Sequence, residues 1–293
     1  MNGPRLFTAM VTPYDGDLAV DYRRAAELAG RLVEQGSDGL VVSGTTGEGP
    51  VLSTEEKLRL AESVLAAAGD RATVIASTGS NSTPATVELT RQMEAAGVHG
   101  VMVVTPYYNK PSQEGLYRHF AEAVAATRLP LMLYNVPGRT GVNLLPATVG
   151  RLAGLGNVRW LKEASGNLDQ VTEAVQAVAG QGVDVLSGDD SLTLPILAVG
   201  GRGVVSVAAH LAGRQIRAML DAYQAGRVAE AAAIHRRLYP LFRGIFMTTN
   251  PVPVKAALAL SGFDPGPPRL PLVEATEAER EALRAILAGV EES

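Results

Sequence analysis

Short apolar runs alternate with longer amphipathic stretches along the first three quarters of the chain. The runs are rich in Val, Leu and Ile and lack a polar residue at every second position, which is typical of parallel strands covered on both faces. They predict eight strands: Leu6–Met10, Gly39–Ser43, Thr73–Ser77, Gly100–Thr105, Leu131–Asn135, Val158–Glu163, Asp184–Ser187 and Gly203–Val207.

Between the strands, apolar residues recur at the helical period of three to four positions. This period predicts helices over Asp21–Gln35, Thr54–Ala68, Pro84–Ala96, Gln113–Thr127, Pro146–Ala153, Leu168–Ala179, Leu192–Val199 and Arg214–Ala225. The start of the second helix is marked by Ser53 and Glu56, which have the spacing of a capping box.

Eight strand–helix units therefore follow one another, and most strand starts lie roughly thirty residues apart, as βαβ units require. The pattern predicts an α/β chain folded as a (β/α)8 TIM barrel. A doubly wound open sheet is the structural alternative, but it usually has fewer strands and a dinucleotide-binding fingerprint. The glycines of Gly44–Gly49 have the wrong spacing for that fingerprint and for a phosphate-binding P-loop.

The alternation of strand and helix patterns ends after Gly226. Three more helices are predicted, over Val228–Met247, Val252–Leu260 and Ala275–Ala288, and segments containing proline separate them. We therefore expect a catalytic barrel over residues 1–226 and a C-terminal helical extension over residues 227–293.

Composition narrows the class of protein. A chain of 293 residues with 46% hydrophobic content can bury a large core. A net charge of −4 gives no support for a nucleic-acid-binding surface, and the absence of cysteine rules out disulfides and a thiol nucleophile. The sequence has neither a signal-peptide pattern nor an apolar run of the roughly 18 residues that a membrane helix needs. We expect a cytoplasmic protein without nucleic-acid or membrane partners.

Lysine is rare in this chain, which has 22 Arg but only four Lys, at positions 57, 110, 162 and 255. Arginine stays charged, whereas a desolvated lysine can lose its proton and become a nucleophile. Only Lys162 lies in a predicted strand, where alternation places it on the face opposite to its neighbour Glu163. Glu163 is therefore a poor ion-pair partner for Lys162. By position alone, a lysine at a strand end with its amine in water is an equal alternative.

In a barrel, the active site lies where the strands end and the βα loops begin. The residues at these ends offer one amine, several hydroxyls and one guanidinium: Thr45, Thr46, Tyr107, Tyr108, Tyr134, Arg139, Lys162, Gly188, Asp189, Asp190, Val205 and Ser206. The four histidines are scattered and lack metal-ligand spacing, so no metal is expected. Asp189 and Asp190 could bind a cation, but a helix N-cap is the favoured interpretation.

An amine among hydroxyls at a barrel mouth indicates Schiff-base chemistry. A free lysine with a pKa of ~10.4 is neutral less than about once in a thousand at pH 7. Burial lowers that pKa, hydroxyls can relay protons, and Arg139 offers a planar fork for a carboxylate. Any single Tyr or Thr could be a satisfied core hydroxyl, and it is their joint placement on successive strand ends that favours a reactive site.

Several motifs give the chain a specific resemblance to a known family. They read GTTGE at Gly44–Glu48, YYNKP at Tyr107–Pro111, YNVPGRTG at Tyr134–Gly141 and KEASG at Lys162–Gly166, and Gly188–Asp190 and Asn250–Lys255 fit as well. In order, spacing and chemistry they resemble the motifs of the dihydrodipicolinate synthase family, over nearly the whole chain. That family comprises pyruvate-dependent class I aldolases on a (β/α)8 barrel with a helical C-terminal extension.

The resemblance implies a role for each catalytic residue. Lys162 would form an imine with pyruvate, and Tyr134 would be the general acid and base beside it. Thr45, Tyr134 and Tyr108 would form a proton relay, with Tyr108 supplied by the neighbouring subunit. A homotetramer built as a dimer of dimers is therefore implied.

The resemblance also implies how the substrates are held. Thr46 would bind the carboxylate of pyruvate, and Arg139 would bind that of aspartate semialdehyde. Gly188 and the main chain of Val205 would line the site near the imine. The implied reaction condenses the two substrates and cyclises the product to 4-hydroxy-tetrahydrodipicolinate, in lysine and diaminopimelate biosynthesis, without a cofactor besides the covalent imine.

Two rival functions remain from the sequence. Another pyruvate aldolase of the same superfamily would share Lys162 and Tyr134 but should not need Arg139. A non-catalytic sensor of small carboxylates would keep the barrel, and it is disfavoured because the reactive set is complete.

The resemblance also bears on regulation by free lysine. In family members with lysine feedback, a histidine or similar group and a glutamate line the effector pocket near the residue matching Tyr107. This chain has Lys57 and Ala85 at the corresponding positions. We therefore expect weak or absent inhibition by lysine.

Overall fold

Eight strands form a closed barrel in the order β1-β2-β3-β4-β5-β6-β7-β8. In the computed structural model, which describes residues 5–291, the strands are β1 Arg5–Ala9, β2 Gly39–Val42, β3 Thr73–Ser77, β4 Gly100–Val104, β5 Leu131–Asn135, β6 Val158–Glu163, β7 Asp184–Ser187 and β8 Gly203–Ser206. Neighbouring strands such as β4, β5, β6 and β7 pair in parallel. The predicted (β/α)8 barrel is confirmed, and the strand ends differ from the predicted ones by one residue at most.

Twelve α-helices lie within the described residues: α1 Tyr22–Glu34, α2 Thr54–Ala68, α3 Thr83–Ala95, α4 Gln113–Ala125, α5 Pro137–Thr140, α6 Pro146–Ala153, α7 Leu168–Ala177, α8 Thr193–Ala198, α9 Ala209–Gln224, α10 Val228–Gly244, α11 Val252–Leu260 and α12 Glu277–Glu291. Two 3-10 turns accompany them, at Gly49–Val51 and Asp190–Leu192. The capping box of α2 is confirmed: the Ser53 hydroxyl accepts from the Glu56 amide and the Glu56 carboxylate accepts from the Ser53 amide.

The helix prediction needed correction at α9 and α5, and at two C-terminal ends: α10 ends three residues before the predicted Met247, and α12 continues three residues past the predicted Ala288. Helix α9 begins at Ala209, five residues before the predicted start at Arg214. The prediction started late because the backbone at Ala212 is not helical and a glycine, Gly213, follows it, which interrupts the apolar period. A Cβ at Gly213 would lie only 2.7 Å from the carbonyl oxygen of Gln35, so this turn needs a glycine to pack closely. Helix α5 was not predicted because four residues are too few to show a period.

The described chain divides into two compact units. The first unit comprises residues 5–74 and 206–291, and the second unit comprises Ile75–Val205. The predicted domain boundary between residues 226 and 227 stays a prediction. The outer ends of the two predicted domains, residues 1–4 and 292–293, lie outside the described residues.

Burial explains the uninterrupted apolar strands. Every residue of β2, β5 and β8 is buried, so both faces of these strands are covered by protein. In the C-terminal helices of the first unit, Val252, Ala257 and Leu283 belong to one buried apolar cluster. Among the described residues, no helix is both long enough and apolar enough to span a membrane.

Candidate active site

The candidate nucleophile, Lys162, lies in β6 opposite Tyr134 of β5. Its side chain is buried, with 5% exposure, and its Nζ lies 4.2 Å from the centre of the Tyr134 ring. Both side chains therefore project to the same face of the paired strands. The alternative of a strand-end amine in water is wrong for this lysine.

Burial changes the acid–base behaviour of Lys162. Desolvation lowers its pKa from 10.5 to about 8; the negative charge of Asp190 opposes this shift and the positive charge of Arg139 adds to it. At pH 7 a group with that pKa is neutral about one time in ten, against less than about one in a thousand for a free lysine. Lys162 thus holds a usable fraction of nucleophilic amine near neutral pH.

A second feature of Lys162 is that no carboxylate of residues 5–291 pairs with its amine. Within residues 5–291 it forms no ion pair, and Glu163 instead accepts hydrogen bonds from Asn135 and from the Ser165 amide. Alternation along β6 had predicted this separation of Lys162 from Glu163, and the contacts confirm it. No group of three or more His, Asp or Glu side chains in the described part of the chain could hold a metal ion.

Gly188, directly after β7, leaves the space that the Lys162 side chain occupies. A Cβ at this position would lie 2.7 Å from the Cβ of Ala164 and 3.2 Å from the Cγ of Lys162. Its amide donates to the carbonyl of Glu163, which fixes the loop against the end of β6. Val205, the other predicted lining residue, is buried in β8.

The two aspartates after β7 have different environments. Asp189 is the N-cap of the 3-10 turn, where its side chain accepts from the Ser191 amide, so the predicted cap is confirmed. Asp190 is 2% exposed, and its charge acts on Lys162. This influence is not visible in the sequence, because two adjacent acids before a helix give the same local signal whichever way each side chain points.

Arg139 and Tyr108 lie in adjacent segments of the second unit. Arg139 is exposed on the short helix α5. The Tyr108 amide donates to the carbonyl of Thr140, and its backbone is left-handed, with φ of 74°. The Tyr108 side chain is 88% exposed, in contrast to the buried Lys162 and Tyr134.

Thr45 and Thr46 lie in the first unit, in the turn that follows β2. Thr45 is partly exposed, and Thr46 is buried with its hydroxyl accepting a 2.9 Å hydrogen bond from Asn250 Nδ2. Two residues further on, the carboxylate of Glu48 forms a buried 2.7 Å ion pair with Lys255. The last predicted motif, Asn250–Lys255, therefore holds the turn that carries the two threonines, which spacing alone did not reveal.

The closed eight-stranded barrel, with a buried lysine on β6 beside a tyrosine on β5, defines the (β/α)8-barrel class. The model of the dihydrodipicolinate synthetase family matches residues 3–289. The chain belongs to this family.

Individual relatives agree over nearly the whole length. The 4-hydroxy-tetrahydrodipicolinate synthase of Heliobacterium modesticaldum is 58% identical, and the match covers 97% of this chain and 94% of that protein. The dihydrodipicolinate synthase of Cyanidioschyzon merolae, solved with lysine bound, is 44% identical with a TM-score of 0.96 and 98% coverage of both chains. The chloride-inhibited enzyme of Acinetobacter baumannii, solved with pyruvate, is 36% identical with a TM-score of 0.95 and 99% coverage of both chains.

Proposed function

We propose that this chain is a 4-hydroxy-tetrahydrodipicolinate synthase, which condenses pyruvate with aspartate semialdehyde in lysine and diaminopimelate biosynthesis. Relatives named for this activity match 97% of the chain at 56–58% identity. The observation that carries the mechanism is the buried amine of Lys162, with its pKa lowered to about 8 and a phenol ring 4.2 Å away.

The chemistry begins at Lys162. Its neutral Nζ attacks C2 of pyruvate, and the resulting carbinolamine loses water to give an imine. The imine draws electrons from the pyruvate methyl group, so that C3 loses a proton and an enamine forms. We assign the proton transfers in these steps to Tyr134, whose ring centre lies 4.2 Å from Lys162 Nζ, with Thr45 and Tyr108 completing the proposed relay.

The second substrate then joins. C3 of the enamine attacks the aldehyde carbon of aspartate semialdehyde, and the aldehyde oxygen takes up a proton. The substrate's own amino group attacks C2 and displaces the Lys162 amine, which closes the ring and frees the enzyme without a further cofactor. We assign the pyruvate carboxylate to Thr46, the semialdehyde carboxylate to Arg139, and the walls near the imine to Gly188 and Val205.

We place the enzyme in the cytoplasm as a homotetramer, in which Tyr108 acts in a neighbouring subunit. The 88% exposure of Tyr108 supports this assignment, because a side chain directed away from its own chain is available to another. Mixing Tyr108→Phe with Lys162→Ala subunits should restore activity in part, once subunit exchange has been verified. No recovery would mean that each Tyr108 serves its own chain.

Borohydride reduction in the presence of pyruvate tests the proposed chemistry. The imine would be trapped as a secondary amine, and peptide mass analysis should find the added mass on the peptide that contains Lys162. Product formation from pyruvate and aspartate semialdehyde should be measured in parallel with 2-keto acid cleavage. Label on Lys57, Lys110 or Lys255, or a preference for 2-keto acid cleavage, would overturn the proposal.

A further inference from the structure

A polar cluster of three buried residues and one partly buried residue lies on the face of β5 and β6 opposite to Lys162 and Tyr134. It consists of Asn135, Asn143, Glu163 and Gln170, and we refer to it as the rear network. Asn135 directly follows Tyr134, and Glu163 directly follows Lys162, so alternation turns their side chains away from the reacting groups. Asn135 and Glu163 are nevertheless paired in the strand register, just as Tyr134 and Lys162 are.

Glu163 is the acceptor at the centre of the rear network. Asn135 Nδ2 lies 3.2 and 3.1 Å from its two carboxylate oxygens, the Ser165 amide donates at 2.7 Å, and Gln170 Nε2 donates at 3.3 Å. The side chain is 2% exposed. Every one of these neighbours is a donor, so this position suits a group that only accepts hydrogen bonds, as an ionised carboxylate does.

The amides around Glu163 complete one another's hydrogen bonds. Asn143 Oδ1 accepts from Asn135 at 2.8 Å and from Gln170 at 3.0 Å, while Asn143 Nδ2 donates to Gln170 Oε1 at 2.7 Å. Asn135 Oδ1 accepts from the Leu144 amide. The network therefore ties β5 and β6 to helix α7 and to residues 143–144, only a few positions after Arg139.

The energetics of Glu163 differ from those of an ordinary core residue. Burial raises its pKa, and the hydrogen bonds from Asn135, Ser165 and Gln170 oppose that shift. Keeping a buried carboxylate is unfavourable compared with an apolar residue of the same volume. Stability of the core alone therefore does not account for a carboxylate at position 163. Fixing the geometry of the neighbouring Lys162 and Tyr134 side chains does account for it.

We infer that Glu163 and Asn135 are positioning residues for the reaction: by bonding to each other across β5 and β6, they hold Lys162 and Tyr134 at their mutual distance and orientation, and through Asn143 they hold the segment that carries Arg139. The inference rests on the proposed function, because it assigns the network to an imine-forming lysine. Misplacement of a reacting group by about 1 Å can reduce a rate about a hundredfold.

The first test uses Glu163→Gln, which keeps the shape but directs an N–H group at a donor. We expect imine formation with pyruvate, followed by borohydride trapping in single turnover, to slow by about ten- to a hundredfold. Thr90→Val is the matched control, since it removes the buried 2.8 Å hydrogen bond from Thr90 to Thr78 in the same unit without adjoining a reacting residue. This control should lose thermal stability and keep the wild-type trapping rate.

The second test separates the hydrogen bond between Glu163 and Asn135 from the connection that runs through Asn143. Asn143→Ala leaves the hydrogen bond between Glu163 and Asn135 but removes the side-chain connection through Asn143, so that only the Leu144 amide still joins Asn135 to the segment that follows Arg139. It should raise the KM for aspartate semialdehyde severalfold while imine formation with pyruvate stays within about twofold of wild type. If Glu163→Gln fails to fold, Gln170→Leu replaces it. This variant deletes one donor to Glu163 together with both hydrogen bonds between Gln170 and Asn143, and it should slow trapping in the same direction.

The outcomes are distinguishable from failure of the proposed function. If the wild-type enzyme is not trapped by pyruvate and borohydride, the imine chemistry itself is wrong. If the wild type is trapped and Glu163→Gln, or Gln170→Leu in its place, reacts at the wild-type rate with only a lower Tm, the network is structural and the inference is overturned. If Asn143→Ala slows trapping but leaves the KM for the semialdehyde unchanged, the proposal that Asn143 holds the segment carrying Arg139 is overturned.

Discussion

Two lysines of this chain are buried in closely similar ways. Lys162 is 5% exposed and Lys255 is 3% exposed. Each places its Nζ 4.2 Å from the centre of a tyrosine ring, Tyr134 for Lys162 and Tyr14 for Lys255. Burial lowers the pKa of both amines.

The difference between them is a single carboxylate. Lys255 forms a 2.7 Å ion pair with Glu48 and donates to the carbonyl of Pro267. That carboxylate opposes the effect of burial on the pKa of Lys255. Lys162 forms no ion pair within residues 5–291 and receives only the longer-range influence of Asp190 and Arg139.

Burial alone therefore does not make a lysine reactive. A carboxylate in contact stabilises the ammonium form and turns a buried lysine into a fixed structural cation. Without that partner, desolvation favours the neutral amine, which can attack a carbonyl. The environment of Lys162 favours a nucleophilic amine. The environment of Lys255 favours a structural cation that attaches helix α11 to the turn carrying Thr45 and Thr46.

The largest expected difference concerns catalysis. Lys162→Arg should lower turnover by at least about a thousandfold and abolish borohydride trapping, because a guanidinium stays protonated and forms no imine. Lys255→Arg, the matched variant, keeps a cation for Glu48 and should still be trapped on the peptide containing Lys162. Trapping that survives in Lys162→Arg would show that the two lysines had been assigned to the wrong roles.

Stability should change in opposite directions when each lysine is replaced by methionine. Lys255→Met leaves the Glu48 carboxylate buried without its cation and should destabilise the fold by about 3–5 kcal/mol. Lys162→Met should stabilise it by up to about 3 kcal/mol at pH 7, because a folded-state pKa of about 8, below 10.5, makes protonated Lys162 oppose folding.

The sign of the Lys162 effect can be checked with pH. The unfolded chain binds the Lys162 proton more tightly, so wild-type stability should rise as the pH increases from about 8 to 10.5, and the advantage of Lys162→Met should shrink over the same range. Urea unfolding at fixed protein concentration measures both variants. A destabilising Lys162→Met would contradict the assignment of an unfavourable buried amine.

Arg139→Ala sharpens the assignment of substrates around Lys162. Loss of a charge-assisted contact worth roughly 1.5–3 kcal/mol should weaken the use of aspartate semialdehyde by about ten- to a hundredfold. Imine formation with pyruvate should change far less. Steady-state kinetics and single-turnover trapping measure the two steps separately, and equal losses in both would indicate a structural role for Arg139.

Asp190→Asn tests whether distant charges set the pKa of Lys162. The negative charge of Asp190 raises this pKa, so its removal should lower it and extend imine formation to lower pH. We expect the acidic limb of the trapping rate to move down in pH, with a severalfold faster rate near pH 6 relative to the plateau of the same variant. A limb that moves up or stays in place would show that Asp190 does not act through its charge.

The smallest expected effect is that of free L-lysine. Lys57 is partly buried, desolvation lowers its pKa, and no carboxylate is found at Ala85. In its protonated form Lys57 repels the ammonium groups of a lysine effector, whereas Ala85 provides no opposite charge. Activity titrated with L-lysine into the millimolar range should fall by less than about twofold; clear saturable inhibition would contradict the prediction.

The barrel and the importance of one lysine were both predictable from local sequence patterns and composition. Strands buried on both faces need continuous apolar runs, and helices that cover them need an apolar stripe, so eight strands were placed within one residue of their observed ends. The scarcity of lysine singled out Lys162, and alternation along β6 correctly separated it from Glu163. These signals are local, because each depends on residues a few positions apart.

The surroundings of each buried amine depend on how segments distant in sequence pack together, and they were not predictable. Lys255 and Glu48 are 207 residues apart in sequence, and no periodicity links them. Gly188 leaves space for the Lys162 side chain, and Asp190 rather than Asp189 raises the pKa of Lys162. Both effects arise because the end of β7 lies beside β6. A pKa depends on desolvation and on charges a few ångströms away in space, so it is fixed only when distant segments pack together.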